Sequence, residues 1–217
     1  MKIKFLSIVL ILNILSAKAQ ENTTSKSLKW PRSYEKDNVT FHIGFGNLQP
    51  EAFVLSKYRN YEGLQGDAQG SASGVFYMGI DVHKRDNYMI GLYYSNFSAK
   101  SGTWIDPNYL ELNYFKLSMH QITAKFNYGW YNNKDAAGMF YSGYSISYRI
   151  IDKQTVYPNA LLVSDPQSFP YTYSPLSYHV TLLGIKGRFT KDSKLGMTLE
   201  VGAGNLGIIN YGLNYTL

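Results

Sequence analysis

The chain has 217 residues, of which 45% are hydrophobic and only 17% charged, with 21 basic and 15 acidic residues, twenty tyrosines and no cysteine. That charge content lies below the roughly 25% usual for soluble domains, and the absence of cysteine excludes a disulfide-stapled secreted scaffold. The net charge of +6 is not organised into a Lys/Arg cluster interleaved with aromatics, so no nucleic-acid partner is expected.

The first predicted element is a secretory signal peptide over residues 1–19. Lys2 and Lys4 precede an apolar stretch from Phe5 to Leu15, and Ala17-Lys18-Ala19 supplies a small-x-small cleavage site before Gln20. The stretch is too short to span a bilayer as a helix, which takes roughly 20 apolar residues. Removing it leaves 18 basic against 15 acidic residues. Residues 20–38 are polar and aperiodic and read as a flexible periplasmic lead-in.

Eight strand-like segments with two-residue alternation follow. Val39–Gly46 sets Val39, Phe41, Ile43 and Phe45 against His42, Gly44 and Gly46. The second, 74–84, opposes Phe76, Met78, Ile80 and Val82 to Tyr77, Gly79, Asp81 and His83. The third, 88–98, alternates Ile90 and Leu92 with Gly91 and Tyr93. A long fourth segment, from about Leu110 to Tyr131, places Ile122, Ala124, Phe126, Tyr128 and Trp130 opposite Gln121, Thr123, Lys125, Asn127 and Gly129. The fifth, Met139–Ile151, opposes Tyr144, Ile146, Tyr148 and Ile150 to Ser145, Ser147 and Arg149. The sixth, Ser177–Thr190, carries Leu183, Ile185 and Phe189 against Gly184, Lys186 and Arg188. The seventh opposes Leu195, Met197, Leu199 and Val201 to Gly196, Thr198, Glu200 and Gly202, and the eighth is Ile208–Leu217.

Long links at 47–73, 99–109 and 152–176 alternate with short ones, the link around Asn205-Leu206-Gly207 being the short exception. An even strand count with alternating turns and loops is the pattern of an all-β, eight-stranded antiparallel up-and-down transmembrane β-barrel over residues 39–217. A soluble barrel of the same order would carry its charges on the water-facing side. Here the less apolar face is Gly, Ser, Thr and Asn with isolated charges of both signs, which suits a narrow filled interior. Asp81, Lys125, Arg149, Lys186, Arg188 and Glu200 are therefore expected to form a charge network inside.

The last strand also carries a motif. Asn210, Gly212, Tyr215 and Leu217 follow the spacing polar-x-Gly-x-x-aromatic-x-apolar. This resembles the C-terminal signal read by the Gram-negative outer-membrane barrel-assembly machinery, although Leu217 stands where Phe is usual. With the strand pattern, the chain resembles small outer-membrane β-barrel proteins of the OmpA/OmpX type. The resemblance implies outer-membrane lipid and the assembly machinery as partners, and no cofactor.

Two Ser-x-His pairs are the candidates for chemistry. Ser118-Met119-His120 and Ser177-Tyr178-His179 each put Ser and His on one strand face, expected in the outward phase with no carboxylate sharing it nearby. A Ser–His pair needs a third group to orient the imidazole, so a lipid-A-modifying enzyme is the less favoured reading and a non-enzymatic protein the preferred one. Asp81-x-His83 lacks further ligands at metal-site spacing. The loop 152–176 carries Tyr157, Phe169, Tyr171 and Tyr173 among four prolines, a candidate surface for an extracellular protein partner. A narrow transport or ligand-carrying barrel is the alternative.

Overall fold

The computed structural model describes residues 38–47, 49–56, 70–85, 87–102, 114–133, 138–157, 169, 171–190 and 192–217. The signal peptide and all of the lead-in except Asn38 lie outside this set, as does most of the loop 99–109. The elements in chain order are β1 (Val39–Asn47), α1 (Pro50–Ser56), β2 (Ser71–Ala72), β3 (Val75–Arg85), β4 (Tyr88–Lys100), β5 (Tyr114–Asn133), β6 (Gly138–Val156), β7 (Leu176–Arg188), β8 (Leu195–Gly204) and β9 (Ile209–Thr216). All pairings are antiparallel, in the order β2-β4-β3-β1-β9-β8-β7-β6-β5, and β4 pairs with β5 to close the ring. Setting aside the short β2, eight strands form a closed up-and-down barrel, which leaves no unpaired sheet edge.

The two faces separate as the alternation requires. On β9, Ile209, Tyr211, Leu213 and Tyr215 point outward and are exposed, while Asn210, Asn214 and Thr216 are buried inside. The exterior of every barrel strand repeats this, with Ile43, Ile90, Ile122, Ile146 and Leu199 all exposed. So much contiguous apolar surface is far beyond what a water-soluble monomer exposes; it is the lipid-facing belt of a transmembrane barrel. Aromatic pairs lie on this surface, among them Tyr88 with Tyr128 at 5.2 Å and Phe126 with Tyr144 at 5.4 Å between ring centroids. Both link cross-strand neighbours, the contact by which sheets gain stability.

Inside, small residues make room for large ones. A side chain at Gly44 would collide with the Tyr77 ring, one at Gly79 or Gly91 with Tyr93, and one at Gly184 with Tyr141. Three tyrosines thus lie across neighbouring strands and fill a lumen that an eight-stranded ring leaves narrow. At Gly44, Gly79 and Gly184 the ring comes from the next strand, and at Gly91 it is that of Tyr93 two residues along the same strand.

The strand ends differ from the sequence reading in two places. β5 has 20 residues and β6 has 19, about twice the 9–11 residues that a tilted strand needs to cross hydrocarbon. Pairing continues to Tyr114 opposite Val156, so Asp152, Lys153 and Gln154 are strand and not loop. Their polarity reports height above the apolar belt, and backbone pairing is indifferent to it. The loop 47–73 contains α1 and β2. Gln49 precedes α1, its side-chain oxygen accepting the Ala52 amide at 2.5 Å as an N-cap, with Pro50 in the favoured first helical position.

β7 corrects a phase. Tyr141 pairs with Gly184 but Gly143 with Thr181, and on the other side Thr181 pairs with Gly202 but Leu183 with Val201. One extra residue in β7 on both sides is a β-bulge, which reverses the alternation. Gly184 and Lys186 face inward after it, as read from sequence, yet before it the inward residues are Ser177, His179 and Thr181. Ser177 and His179 therefore face the lumen, where an outward placement had been expected.

Candidate functional site at the loop end of the barrel

The inward charges fall into three groups. Asp81 accepts from the Tyr93 hydroxyl at 2.8 Å, pairs with His42 Nε2 at 2.9 Å and has Lys186 Nζ at 3.7 Å. Lys186 also lies 3.4 Å from His83 Nε2. Glu200 pairs with Lys125 and accepts from the Tyr141 hydroxyl at 2.6 Å. Lys125 Nζ stands 5.2 Å from the centroid of the Tyr93 ring, which joins the first two groups. Arg149 belongs to neither, because its Nη1 donates to Glu51 of α1 at 2.7 Å. Arg188 is half-buried near the turn end of β7, opposite Gly196.

Of the six charges singled out in the sequence, four meet in the two lumen groups. His42, Tyr93 and Tyr141 complete them and were not anticipated as members, although each stood in the inward phase. These buried charges are paired and hydrogen-bonded, the condition under which charge survives in a low-dielectric interior. Above them the Thr123 and Ser147 hydroxyls share a hydrogen bond of 2.6 Å, and Asn205 Nδ2 donates to Gln121 and Ser147, both at 2.6 Å.

At the loop end α1 turns Ala52 and Leu55 inward, three residues apart on one helical face. Both are fully buried against Val75, Phe97, Phe115, Leu117 and Met119, with Phe169, Tyr171 and Tyr173 packed on the same cluster. This apolar plug closes one side of the mouth. Beside it opens a cavity of about 440 Å³ lined by Pro50, Glu51 and Val54 of α1, Arg149, Tyr171–Ser174, Tyr178, Gly204 and Asn205. The Gly204–Gly207 turn that carries Asn205 has positive φ at both glycines, 136° and 98°, which side chains with a Cβ rarely adopt. Tyr171 and Tyr173, singled out from the loop 152–176, line this cavity; Phe169 stacks edge-on with Phe115 at 5.4 Å. Tyr157 is half-buried just beyond β6. Of the prolines, 158, 166 and 170 lie outside the described residues.

Three polar atoms of the lining residues are sealed behind the cavity wall. Arg149 Nε, the Tyr173 hydroxyl and Asn205 Oδ1 are buried without a hydrogen-bond partner among the described residues. Each such atom costs about 1–3 kcal/mol when left unmatched. Burial first, then the neighbouring Glu51 carboxylate, pushes the Tyr173 hydroxyl up to about 12, so it keeps its proton and remains a donor. A cavity of this size, with aromatic walls and a few fixed polar groups, has the make-up of a small-molecule site.

The outward Ser–His pair differs from expectation in one respect. Asp152 stands opposite Ser118 in register and is exposed like His120, so a carboxylate does share the phase. The geometry does not assemble it: His120 Nδ1 lies 2.7 Å from the Tyr94 hydroxyl, and Asp152 accepts from Gln154 at 3.0 Å. Ser177 and His179, inside the wall, are buried. Among the described residues no cluster of three or more metal-ligating side chains occurs.

On the closing strand, Asn210 faces the lumen, Gly212 is half-buried opposite Gly44, and Tyr215 and Leu217 point outward. No family profile matches the sequence, and no curated protein does. The fold is similar to that in the crystal structure of the outer membrane protein OprG from Pseudomonas aeruginosa, with a TM-score of 0.53 and 10% identity over 85% of this chain and 97% of that one. At this identity the shared property is architecture: the chain is a closed eight-stranded β-barrel of the kind found in small outer-membrane proteins.

Proposed function

We propose that this chain is an integral protein of the Gram-negative outer membrane, exported by a cleaved signal peptide, non-enzymatic, and active through its loop end at the cell surface. The observation that carries the reading is where open space lies. The lumen is crossed by the Asp81 and Glu200 groups and by three tyrosine rings, while the cavity lies between α1 and residues 171–174. Interaction with a partner at the surface needs no passage through the wall or the lumen, and the barrel provides a rigid base for the mouth. The belt supports a partnership with outer-membrane lipid. The final-strand spacing of Asn210, Gly212, Tyr215 and Leu217 supports delivery through the barrel-assembly machinery.

The rival reading, a narrow transport barrel, needs a continuous polar path from mouth to turns. Purified protein in planar lipid bilayers is therefore expected to give no stepwise conductance in 1 M salt, a current trace indistinguishable from protein-free bilayer. Discrete openings would reject the closed-lumen reading and favour transport.

A further inference from the structure

The geometry points to the loop-end cavity as a saccharide site, taking a short neutral sugar between the tyrosines and the Arg149–Glu51 pair. This deepens the surface-interaction reading and rests on it. Three observations converge. First, among the described residues the charges lining the cavity are Arg149 and Glu51, and they pair at 2.7 Å. The wall is thus balanced, and an anionic ligand would have to displace Glu51 from Arg149.

Second, the lining offers a donor, an acceptor and hydroxyls able to do both: the Arg149 guanidinium, the Glu51 carboxylate, and the exposed Thr172 and Ser174. Adjacent sugar hydroxyls each donate and accept, so they match this mixed set, whereas a carboxylate accepts only.

Third, the walls are rings. Tyr171 and Tyr173 both line the cavity, with centroids 6.3 Å apart. The apolar C–H face of a pyranose packs on an aromatic face while its hydroxyl edge turns to polar groups, the same division of labour that makes tyrosine an amphipathic contact. The volume, about 440 Å³, falls in the range of small-molecule sites, roughly 300–1,000 Å³.

Saturation-transfer NMR on the refolded full-length mature protein in detergent tests this, with methyl glucoside, methyl galactoside and N-acetylglucosamine as neutral probes and benzoate as the anionic one. Transfer to ring C–H protons of at least one pyranoside is expected. Thr172→Val, which removes a single exposed hydroxyl from the lining, is expected to weaken that binding about tenfold, the equivalent of one lost hydrogen bond. Val54→Trp fills the cavity from an exposed helix position and is expected to abolish transfer, heat-modifiable gel mobility verifying that each variant folds. No transfer to any pyranoside, transfer unchanged by Val54→Trp, or transfer to benzoate alone would overturn the assignment. Conductance of the same preparation separates the two readings: sugar binding by a conducting barrel would remove the closed-lumen reading and leave this site standing.

Discussion

Glu200→Ala is expected to destabilise the folded barrel by about 3–5 kcal/mol, the cost of stranding one member of a buried ion pair. Lys125 loses its ion-pair partner, and the Tyr141 hydroxyl loses the acceptor it reaches at 2.6 Å. Glu200→Gln keeps an oxygen for both partners and is expected to fall between. The paired change Lys125→Met with Glu200→Leu removes both charges together and is expected to approach the parent, because apolar replacements of buried pairs are often neutral. Urea midpoints followed by heat-modifiable mobility in lipid vesicles measure all of them. Equal midpoints for the parent and Glu200→Ala would show that the pair is not buried as described.

Leu213→Arg is expected to cost about 2–4 kcal/mol, the range for a cation on the lipid face near the bilayer midplane. Leu213 lies half-exposed in the row Ile43–Leu213–Met197, flanked by apolar neighbours on both adjacent strands. Asn127→Asp places a charge of similar shape on the inner face, two residues from Lys125, and is expected to cost less. The contrast distinguishes a barrel in lipid from one in water, where an exterior Arg would be harmless. Folding yield into vesicles, read by gel mobility, gives the comparison.

The alternation that makes Leu213 an exterior residue was legible in the sequence, because a strand with different solvents on its two sides writes that difference every second residue. Seven of the eight barrel strands kept one phase where the sequence assigned it. β7 did not, and its bulge at residues 181–183 has no composition of its own: Thr181-Leu182-Leu183 reads as ordinary strand. The inward charges were legible as a set but their pairing was not, since which residues meet across a lumen depends on strand stagger. Arg149 illustrates this, lying too far toward the mouth for the Glu200 group and finding Glu51 instead. α1 does carry a signal in the sequence: Pro50-Glu51 marks a first helical turn, and Ala52 with Leu55 supplies a buried face. The cavity had no such trace, because its wall joins α1, β6, residues 171–174 and the Gly204–Gly207 turn, segments brought together only by closure of the ring.

The central claim is that hydrocarbon bathes one face of every barrel strand while the other face lines a packed interior. The absence of native cysteine allows single cysteines to be placed along β9 from Ile209 to Thr216, each carrying a nitroxide, in protein folded into lipid vesicles. Collision with oxygen, which concentrates in lipid, is expected to be high at 209, 211, 213 and 215 and low at 210, 212, 214 and 216, with a water-soluble nickel complex failing to reach the odd set. A nickel complex that reaches Tyr211 and Leu213 as freely as bulk solvent would contradict the account, for water would then occupy the place assigned to lipid.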